Sequence, residues 1–209
     1  MSDDFSEKYL EIIKTEYRGL NLTRILNLDE FDSKQYRDSL IPFEMCPELF
    51  EEHHNIIDVG FGGGFPCLPL AYRFQDINVF GVDARNKKVA AVNGISKKMN
   101  IKNFKAFHYR LENLFVDIPC IVSFKAVGPI KNLLSNLITN KGNIAVFYKG
   151  PNYKELEPGY KNIAGWSLDK VVEYEVAESK RSFLIYKKLN NSPILNKNLV
   201  KVSSIISNE

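Results

Sequence analysis

Short apolar runs alternate with segments of helical periodicity from residue 56 onward. The runs are rich in Ile, Val and Phe, as in strands that are buried on both faces of a sheet. They predict strands at Ile56–Val59, Val79–Val82, Phe104–Phe107, Ile121–Phe124 and Asn143–Tyr148. The segments between them predict helices at Pro66–Phe74, Asn86–Met99, Arg110–Phe115 and Pro129–Leu137. This alternation indicates strand–helix–strand units, and hence an α/β fold with a largely parallel sheet.

The pattern changes at both ends of this region. Before it, Phe5, Tyr9 and Ile13 recur at helical spacing and predict an amphipathic helix that ends near Gly19. A second short helix is predicted from Asp32 to Ile41, stopped by Pro42. The two helices form an N-terminal helical extension over residues 1–50, ahead of a central domain over residues 51–189.

After the alternating region come two long strand-like runs, Trp166–Val176 and Arg181–Leu189. The residues between them, 177–180, are too few for a parallel crossover, which needs a dozen or more residues. The two runs are therefore predicted to form an antiparallel hairpin. The polar remainder, residues 190–209, is predicted to be a loosely attached tail or a short helix.

Composition changes this picture little. With 44% apolar residues the chain has enough for an ordinary core. The start of the sequence shows no leader pattern, and no apolar run in the chain approaches the length of a membrane helix, so we expect a cytoplasmic protein without a membrane anchor. Cys46, Cys67 and Cys120 have no metal-ligand or disulfide-framework spacing, and no metal site is predicted. The net charge is only +3, but lysines crowd residues 87–105, either as a solvated face or as a patch facing RNA.

A glycine-rich segment directly follows the first predicted strand. Asp58 begins an Asp-x-Gly-x-Gly-x-Gly pattern with Gly60, Gly62 and Gly64, and Asp83 closes the second strand. Glycines allow a tight turn that a ligand can approach closely, and an acid about 20 residues further on is typical of ribose recognition. The dinucleotide pattern requires glycine where this chain has Phe65. Together with the antiparallel hairpin, this favours a fold similar to the S-adenosylmethionine-dependent methyltransferases over a dehydrogenase; a glycine turn without a ligand is the alternative.

The segment that runs from Asp58 through Phe65-Pro66-Cys67-Leu68-Pro69 to Leu70 resembles one family closely. It is similar to the RsmG (GidB) family, which methylates N7 of a guanine in small-subunit (16S) ribosomal RNA, at position 527. The similarity covers roughly residues 20–188 and includes further segments: Asn21-Leu22-Thr23, Asp38-Ser39-Leu40, Asp83 to Lys88, His108 to Leu114, Lys125-Ala126-Val127-Gly128-Pro129 and Tyr148-Lys149-Gly150. The resemblance implies a Rossmann-like methyltransferase with a seven-stranded, mostly parallel sheet and an antiparallel last strand.

The resemblance also implies site residues. It places S-adenosylmethionine, which leaves as S-adenosylhomocysteine, on Asp58, Gly60, Gly62, Gly64, Phe65, Asp83, Leu111, Glu112 and Lys125. Basic positions that match RNA-facing ones in the family are Lys87, Lys88, Arg110, Lys149 and Arg181. Guanine N7 already carries a lone pair, so no general base is needed and no catalytic residue is assigned. The expected partner is small-subunit RNA or the 30S particle, and nothing demands more than a monomer.

The chain departs from the family pattern at three positions. Lys125 stands where arginine is usual, which keeps the charge but loses the planar fork; Phe61 replaces a small hydroxyl residue and Tyr36 a histidine. Phe61, Phe65 and Phe124 are candidates to stack on the target base, with packing in the core as the alternative, more so for Phe124 than for Phe61. Two rival interpretations stay open at this stage: a methyltransferase of small molecules or proteins, and a ribosome-associated protein that binds the cofactor without transferring methyl.

Overall fold

A seven-stranded sheet forms the centre of the computed structural model, which describes residues 4–193 and 198–207. In spatial order its strands are β3 (Phe104–His108), β2 (Asn78–Asp83), β1 (Asn55–Val59), β5 (Ile121–Lys125), β7 (Ile144–Lys149), β9 (Ser179–Lys188) and β8 (Trp166–Val176). The first five are parallel to one another, whereas β9 lies antiparallel to β7 and to β8. The predicted mostly parallel sheet with an antiparallel last strand is confirmed.

Alternate residues of the central strands enter two separate cores, one on each face of the sheet. On β7, Ile144 and Val146 join the first core, while Ala145 and Phe147 join the second. Because side chains alternate across a strand and both faces are covered, the strand reads as a continuous apolar run. The helices that flank the sheet are α5 (Cys67–Arg73), α6 (Asn86–Lys98), α7 (Ile130–Asn136) and α8 (Tyr153–Leu156).

The N-terminal extension packs into the first core. It comprises α1 (Phe5–Glu16), α2 (Leu28–Phe31), a π-helical turn over Asp32–Arg37, α3 (Asp38–Glu44) and α4 (Leu49–Glu52). The predicted stop at Pro42 is wrong, because Pro42 lies inside α3 and the helix continues to Glu44. Phe43, which follows the proline, is fully buried. Tertiary packing therefore offsets the one helical hydrogen bond that proline removes.

The predicted helix at Arg110–Phe115 is also wrong. Leu111–Asn113 form a single 3₁₀ turn, and Leu114–Val116 form a strand, β4. This strand pairs with β6 (Ile138–Thr139) on one side and with β10 (Val200–Lys201) on the other, in a second, three-stranded sheet. The partners of β4 are distant in the sequence, so the local pattern did not predict them.

The C-terminal residues are attached to the second core. After β10 comes a short helix, α9 (Val202–Ser207), and in its first turn the N–H and hydroxyl of Ser203 both donate to the Asp117 carboxylate, at 2.9 and 2.5 Å. The short helix was one of the two alternatives predicted here; residues 194–197 and 208–209 of this region lie outside the described residues. Within the described ranges no helix is both long and apolar enough to span a membrane.

The β8–β9 hairpin closes with a tight turn. Val176 pairs with Ser179, so only Ala177 and Glu178 form the loop, with φ of 46° and 59°. Positive φ at both central positions is typical of a type I′ turn, whose twist matches that of the flanking strands. The hairpin predicted from the short connection is confirmed.

Candidate active site

A cavity of about 830 Å³ opens at the carboxyl ends of β1, β2, β5 and β7. In open α/β sheets this edge is where ligands bind, because the loops that leave parallel strands meet there. The wall formed by the central domain includes Gly60, Gly62, Gly63, Asp83, Lys88 and Lys125–Gly128. The opposite wall belongs to the N-terminal extension and includes Leu22, Ile25, Lys34, Gln35 and Asp38. The extension is therefore part of the site.

The glycine turn is built on conformations that other residues rarely adopt. Gly60, Gly62 and Gly64 have φ of 72°, 60° and 96°. Gly60 N–H donates to Val82 O at 2.7 Å, which ties the turn to the end of β2. The N–H groups of Gly64 and Phe65 both donate to Phe61 O, at 2.8 and 3.1 Å. These bonds define a compact turn whose residues Gly60–Gly63 and Phe65 line the cavity.

Asp83 ends β2 beside this turn and is 7% exposed. One carboxylate oxygen accepts from Gly62 N–H at 3.1 Å and the other from Arg85 N–H at 2.8 Å. An ionised carboxylate has about four acceptor positions, so two remain for hydroxyl donors in the cavity. Asp83 thus fixes the glycine turn and keeps acceptor positions in the cavity wall.

Asp58 lies beneath the turn rather than in the cavity wall. It is fully buried, and its carboxylate accepts from the Ser123 hydroxyl at 2.7 Å and from Cys67 N–H at 3.1 Å. Burial raises the pKa of Asp58 to about 6, against the opposing effect of these hydrogen bonds. Asp58 therefore joins β1, β5 and the start of α5 under the glycines.

Lys125 is held by an ion cluster around Asp38. Asp38 is 1% exposed, and its carboxylate lies 3.1 Å from Lys125 Nζ and 3.4 Å from Arg181 Nε. The Tyr174 hydroxyl donates to it at 3.0 Å. Burial lowers the pKa of Lys125, while the Asp38 charge favours the protonated form. Two cations share one carboxylate, so this part of the wall carries a positive charge.

Lys149 forms a clamp on the segment that follows β5. Its ammonium donates to Gly128 O at 3.0 Å and to the Glu157 carboxylate at 2.5 Å. The second Glu157 oxygen accepts from Ile130 N–H at 2.6 Å. The clamped segment holds Val127 over Gly60, where both methyl groups lie 3.1 Å from the position that a Cβ would take. A side chain on Gly60 would therefore be crowded by Val127, in addition to the strain of its positive φ.

The remaining predicted positions divide between the cavity and the surface. Lys88 lines the cavity, with Nζ 3.7 Å from where a Cβ would stand on Gly62. Gly64, Lys87, Arg110, Leu111 and Glu112 do not line it. Leu111 is buried in the second core, and Arg110 is exposed, 3.9 Å from Glu112. The cavity thus brings together the glycine turn, Asp83, Lys88, Lys125, Lys149 and Arg181.

The three aromatic side chains that are candidates for base stacking are packed against other parts of the protein. Phe61 lies over Gly81, where a Cβ would stand 2.7 Å from its ring. Phe65 makes edge contacts with Tyr9 and Phe31 at 5.1 and 5.5 Å between ring centroids. Phe124 stacks on Phe147 at 4.8 Å. All three line the cavity but are at most 7% exposed, so the structure favours core packing over a stacking role.

Sequence reasoning missed several residues of the site. Gln35 and Asp38 face the cavity from the π-helical turn and the start of α3, and Glu157 belongs to the loop after α8. A π-helical turn changes the direction of the side chains that follow it and is frequent at functional sites. For Asp38 a signal existed, since Asp38-Ser39-Leu40 was one of the family-like segments; for Glu157 there was none.

The inserted antiparallel strand, together with a glycine turn and an acid at the ends of β1 and β2, defines a Rossmann-like S-adenosylmethionine-dependent methyltransferase. A protein-family model described as rRNA small subunit methyltransferase G (GidB) matches residues 4–185. The chain therefore belongs to this family.

Individual proteins agree with this assignment. The chain is 28% identical over 198 residues to the ribosomal RNA small subunit methyltransferase G of Clostridium tetani, covering 89% of this chain and 82% of that protein. It is 31% identical over 166 residues to the protein of the same name from Mesoplasma florum, covering 77% and 68%.

Solved structures share the fold at low identity. A mutant of MtNAS in complex with S-adenosylmethionine has a TM-score of 0.60 at 12% identity, over 88% of this chain and 72% of that one. The putative methyltransferase yhhF from Escherichia coli has a TM-score of 0.54 at 12% identity, over 82% and 92%. At these identities the likeness shows the fold alone.

Proposed function

We propose that this protein transfers a methyl group from S-adenosylmethionine to N7 of a guanine in small-subunit ribosomal RNA. The observation that carries the proposal is the cavity itself: it brings the glycine turn and Asp83 together with Lys88, Lys125, Lys149 and Arg181, in a chain of the rRNA small subunit methyltransferase G family. Two relatives are named for this RNA. N7 and the particular guanine come from the family resemblance.

The residues present fit the cofactor. Asp83 keeps acceptor positions for ribose hydroxyls, and the Gly62–Gly63 backbone forms the cavity wall beside it. Lys125 places a positive charge where a carboxylate would be stabilised. When bound, the sulfonium of the cofactor supplies an electrophilic methyl group.

The protein's part in transfer is to hold the acceptor nitrogen in line with that methyl. Because guanine N7 has a free lone pair, no proton must leave before attack, and no side chain has to act as a base. Positioning alone can lower the activation free energy by about 7 kcal/mol or more. The fixed walls suit this role, since the turn, the clamped segment after β5 and the Asp38 cluster are each held by internal hydrogen bonds or ion pairs.

The target guanine must be presented outside a regular helix. N7 is a major-groove atom, and the major groove of A-form RNA is too deep and narrow for side chains. A cavity of about 830 Å³ has room for a displaced base beside the cofactor. We further propose that the protein acts as a cytoplasmic monomer on this RNA or on the assembled 30S particle.

Lysines of the cavity differ in what they offer to RNA. Lys88→Met is expected to reduce the slope of log affinity against log salt by about 1, because one phosphate contact is lost. Lys149→Met is expected to leave this slope unchanged, because Lys149 is 13% exposed and already bonded to Glu157 and Gly128. RNA binding measured from low to moderate salt checks both variants. An equal loss of slope in both would contradict the clamp assigned to Lys149.

Labelled methyl incorporation tests the proposal. Purified protein and S-adenosylmethionine are incubated with 16S RNA or 30S particles lacking the modification, and the position of the label is mapped. We expect incorporation at N7 of a single guanine. Cofactor binding without incorporation into either substrate would overturn the proposal and favour a binding protein. Repeating the assay with Lys125→Arg then shows whether the lysine at this position limits transfer.

A further inference from the structure

The N-terminal helix reaches the glycine turn through one buried hydroxyl. Tyr9 Oη donates to Gly63 O at 2.6 Å, although the two residues are 54 positions apart. Tyr9 is fully buried, and its ring contacts Phe31 and Phe65 at 5.1 Å between centroids. The hydroxyl is thus fixed in place by aromatic packing.

The extension lies against the turn closely enough to exclude any side chain there. A Cβ on Gly63 would overlap the Leu22 carbonyl oxygen and would stand 3.1 Å from Tyr9 Oη. Directly after α1, Tyr17 occupies the space that a side chain on Gly94 of α6 would take. The chain is therefore packed closely against the central domain at Tyr9, within α1, and at Tyr17, just after it, which holds the Tyr9 hydroxyl in place.

We infer that Tyr9 is a positioning residue for the cofactor-binding turn, acting through Gly63. The turn is oriented from two sides: Asp83 accepts from Gly62 N–H on the cavity side, and Tyr9 donates to Gly63 O from behind. Gly62 and Gly63 are consecutive, so these two bonds fix the intervening peptide. Without the hydroxyl, the Gly63 carbonyl loses its donor, and the turn gains other orientations that do not suit the ligand. The inference rests on the proposed function only in taking S-adenosylmethionine and its product as ligands.

Tyr9→Phe tests this with little change in packing, because the ring is kept. Tyr186→Phe is the matched control: it too is a buried tyrosine whose hydroxyl donates to a backbone carbonyl, Tyr160 O at 2.8 Å, and it does not line the cavity. The Kd for S-adenosylhomocysteine is measured by calorimetry, and kcat and both KM values by methylation of RNA.

For Tyr9→Phe we expect the Kd for S-adenosylhomocysteine and the KM for S-adenosylmethionine to rise roughly fivefold, about 1 kcal/mol. The KM for RNA and kcat at saturating cofactor are expected to stay at wild-type values, and Tyr186→Phe to match the wild type throughout. Unchanged cofactor binding in Tyr9→Phe, equal weakening in Tyr186→Phe, or a joint change of kcat and both KM values would each overturn the inference. If the wild type binds S-adenosylhomocysteine but does not methylate RNA, the proposed function fails while calorimetry still decides the role of Tyr9.

Discussion

Asp83→Ala is expected to weaken binding of S-adenosylmethionine at least a hundredfold. The carboxylate is the acceptor for Gly62 N–H and Arg85 N–H and the group placed to accept ribose hydroxyls. Hydrogen bonds to a charged partner contribute about 1.5–3 kcal/mol each, so the loss of two to the ligand alone exceeds the factor of 100. Calorimetry with S-adenosylhomocysteine measures the change without requiring transfer.

Two further variants separate this role from a general effect of charge or folding. Asp83→Asn keeps the shape and one acceptor oxygen but places an amide donor where the second oxygen stood, so we expect intermediate binding. Asp76→Asn removes an exposed carboxylate just before β2 and is expected to bind as the wild type does. Wild-type affinity in Asp83→Ala, with the fold intact by circular dichroism, would remove Asp83 from the cofactor site.

The sheet could be predicted from sequence because its strands are locally coded. The central strands are mostly apolar over short stretches, and the strands of the final hairpin are joined too tightly for any crossover. The two wrong predictions, the helix stop at Pro42 and the helix at Arg110–Phe115, have a common cause, which is packing against residues far along the chain. Leu114–Val116 form a strand because they pair with residues 138–139 and 200–201, and Pro42 is accommodated in α3 because its neighbours are buried.

The residues of the candidate site also divide into those that local sequence predicts and those that depend on tertiary packing. The glycine turn and Asp83 follow from spacing within one strand–helix–strand unit, and the structure does join them, through Gly62. Asp38 and Tyr9 come from the N-terminal extension, and Glu157 from a distant loop; they reach the site only through tertiary packing. A sequence motif indicates which groups its own segment contributes to a site, but not which distant segments contribute the remaining residues.

Among these contacts between distant segments, we expect those of Asp38 to contribute most to the stability of the protein. Asp38→Ala is expected to lower the free energy of unfolding by about 3–5 kcal/mol, because it leaves the Lys125 and Arg181 charges without their shared anion and Tyr174 without its acceptor. Since small domains have only about 5–15 kcal/mol of stability, this is a major loss. Denaturant unfolding at neutral pH measures it, with Glu48→Ala as the control: that exposed pair with Lys170, 2.8 Å apart, should contribute far less.

A double-mutant cycle shows whether the loss arises from uncompensated charge. Lys125→Met retains much of the side-chain volume without the ammonium group, so in Asp38→Ala/Lys125→Met only Arg181 is left without a counter-ion. Because Arg181 is 33% exposed, solvent can reach it more readily than Lys125, which is 13% exposed. We therefore expect the double variant to be more stable than the sum of the two single losses predicts, with a coupling of about 1–3 kcal/mol. Strict additivity would mean that Asp38 stabilises the wall of the cavity through packing and the Tyr174 hydrogen bond, and that Lys125 is held by other contacts.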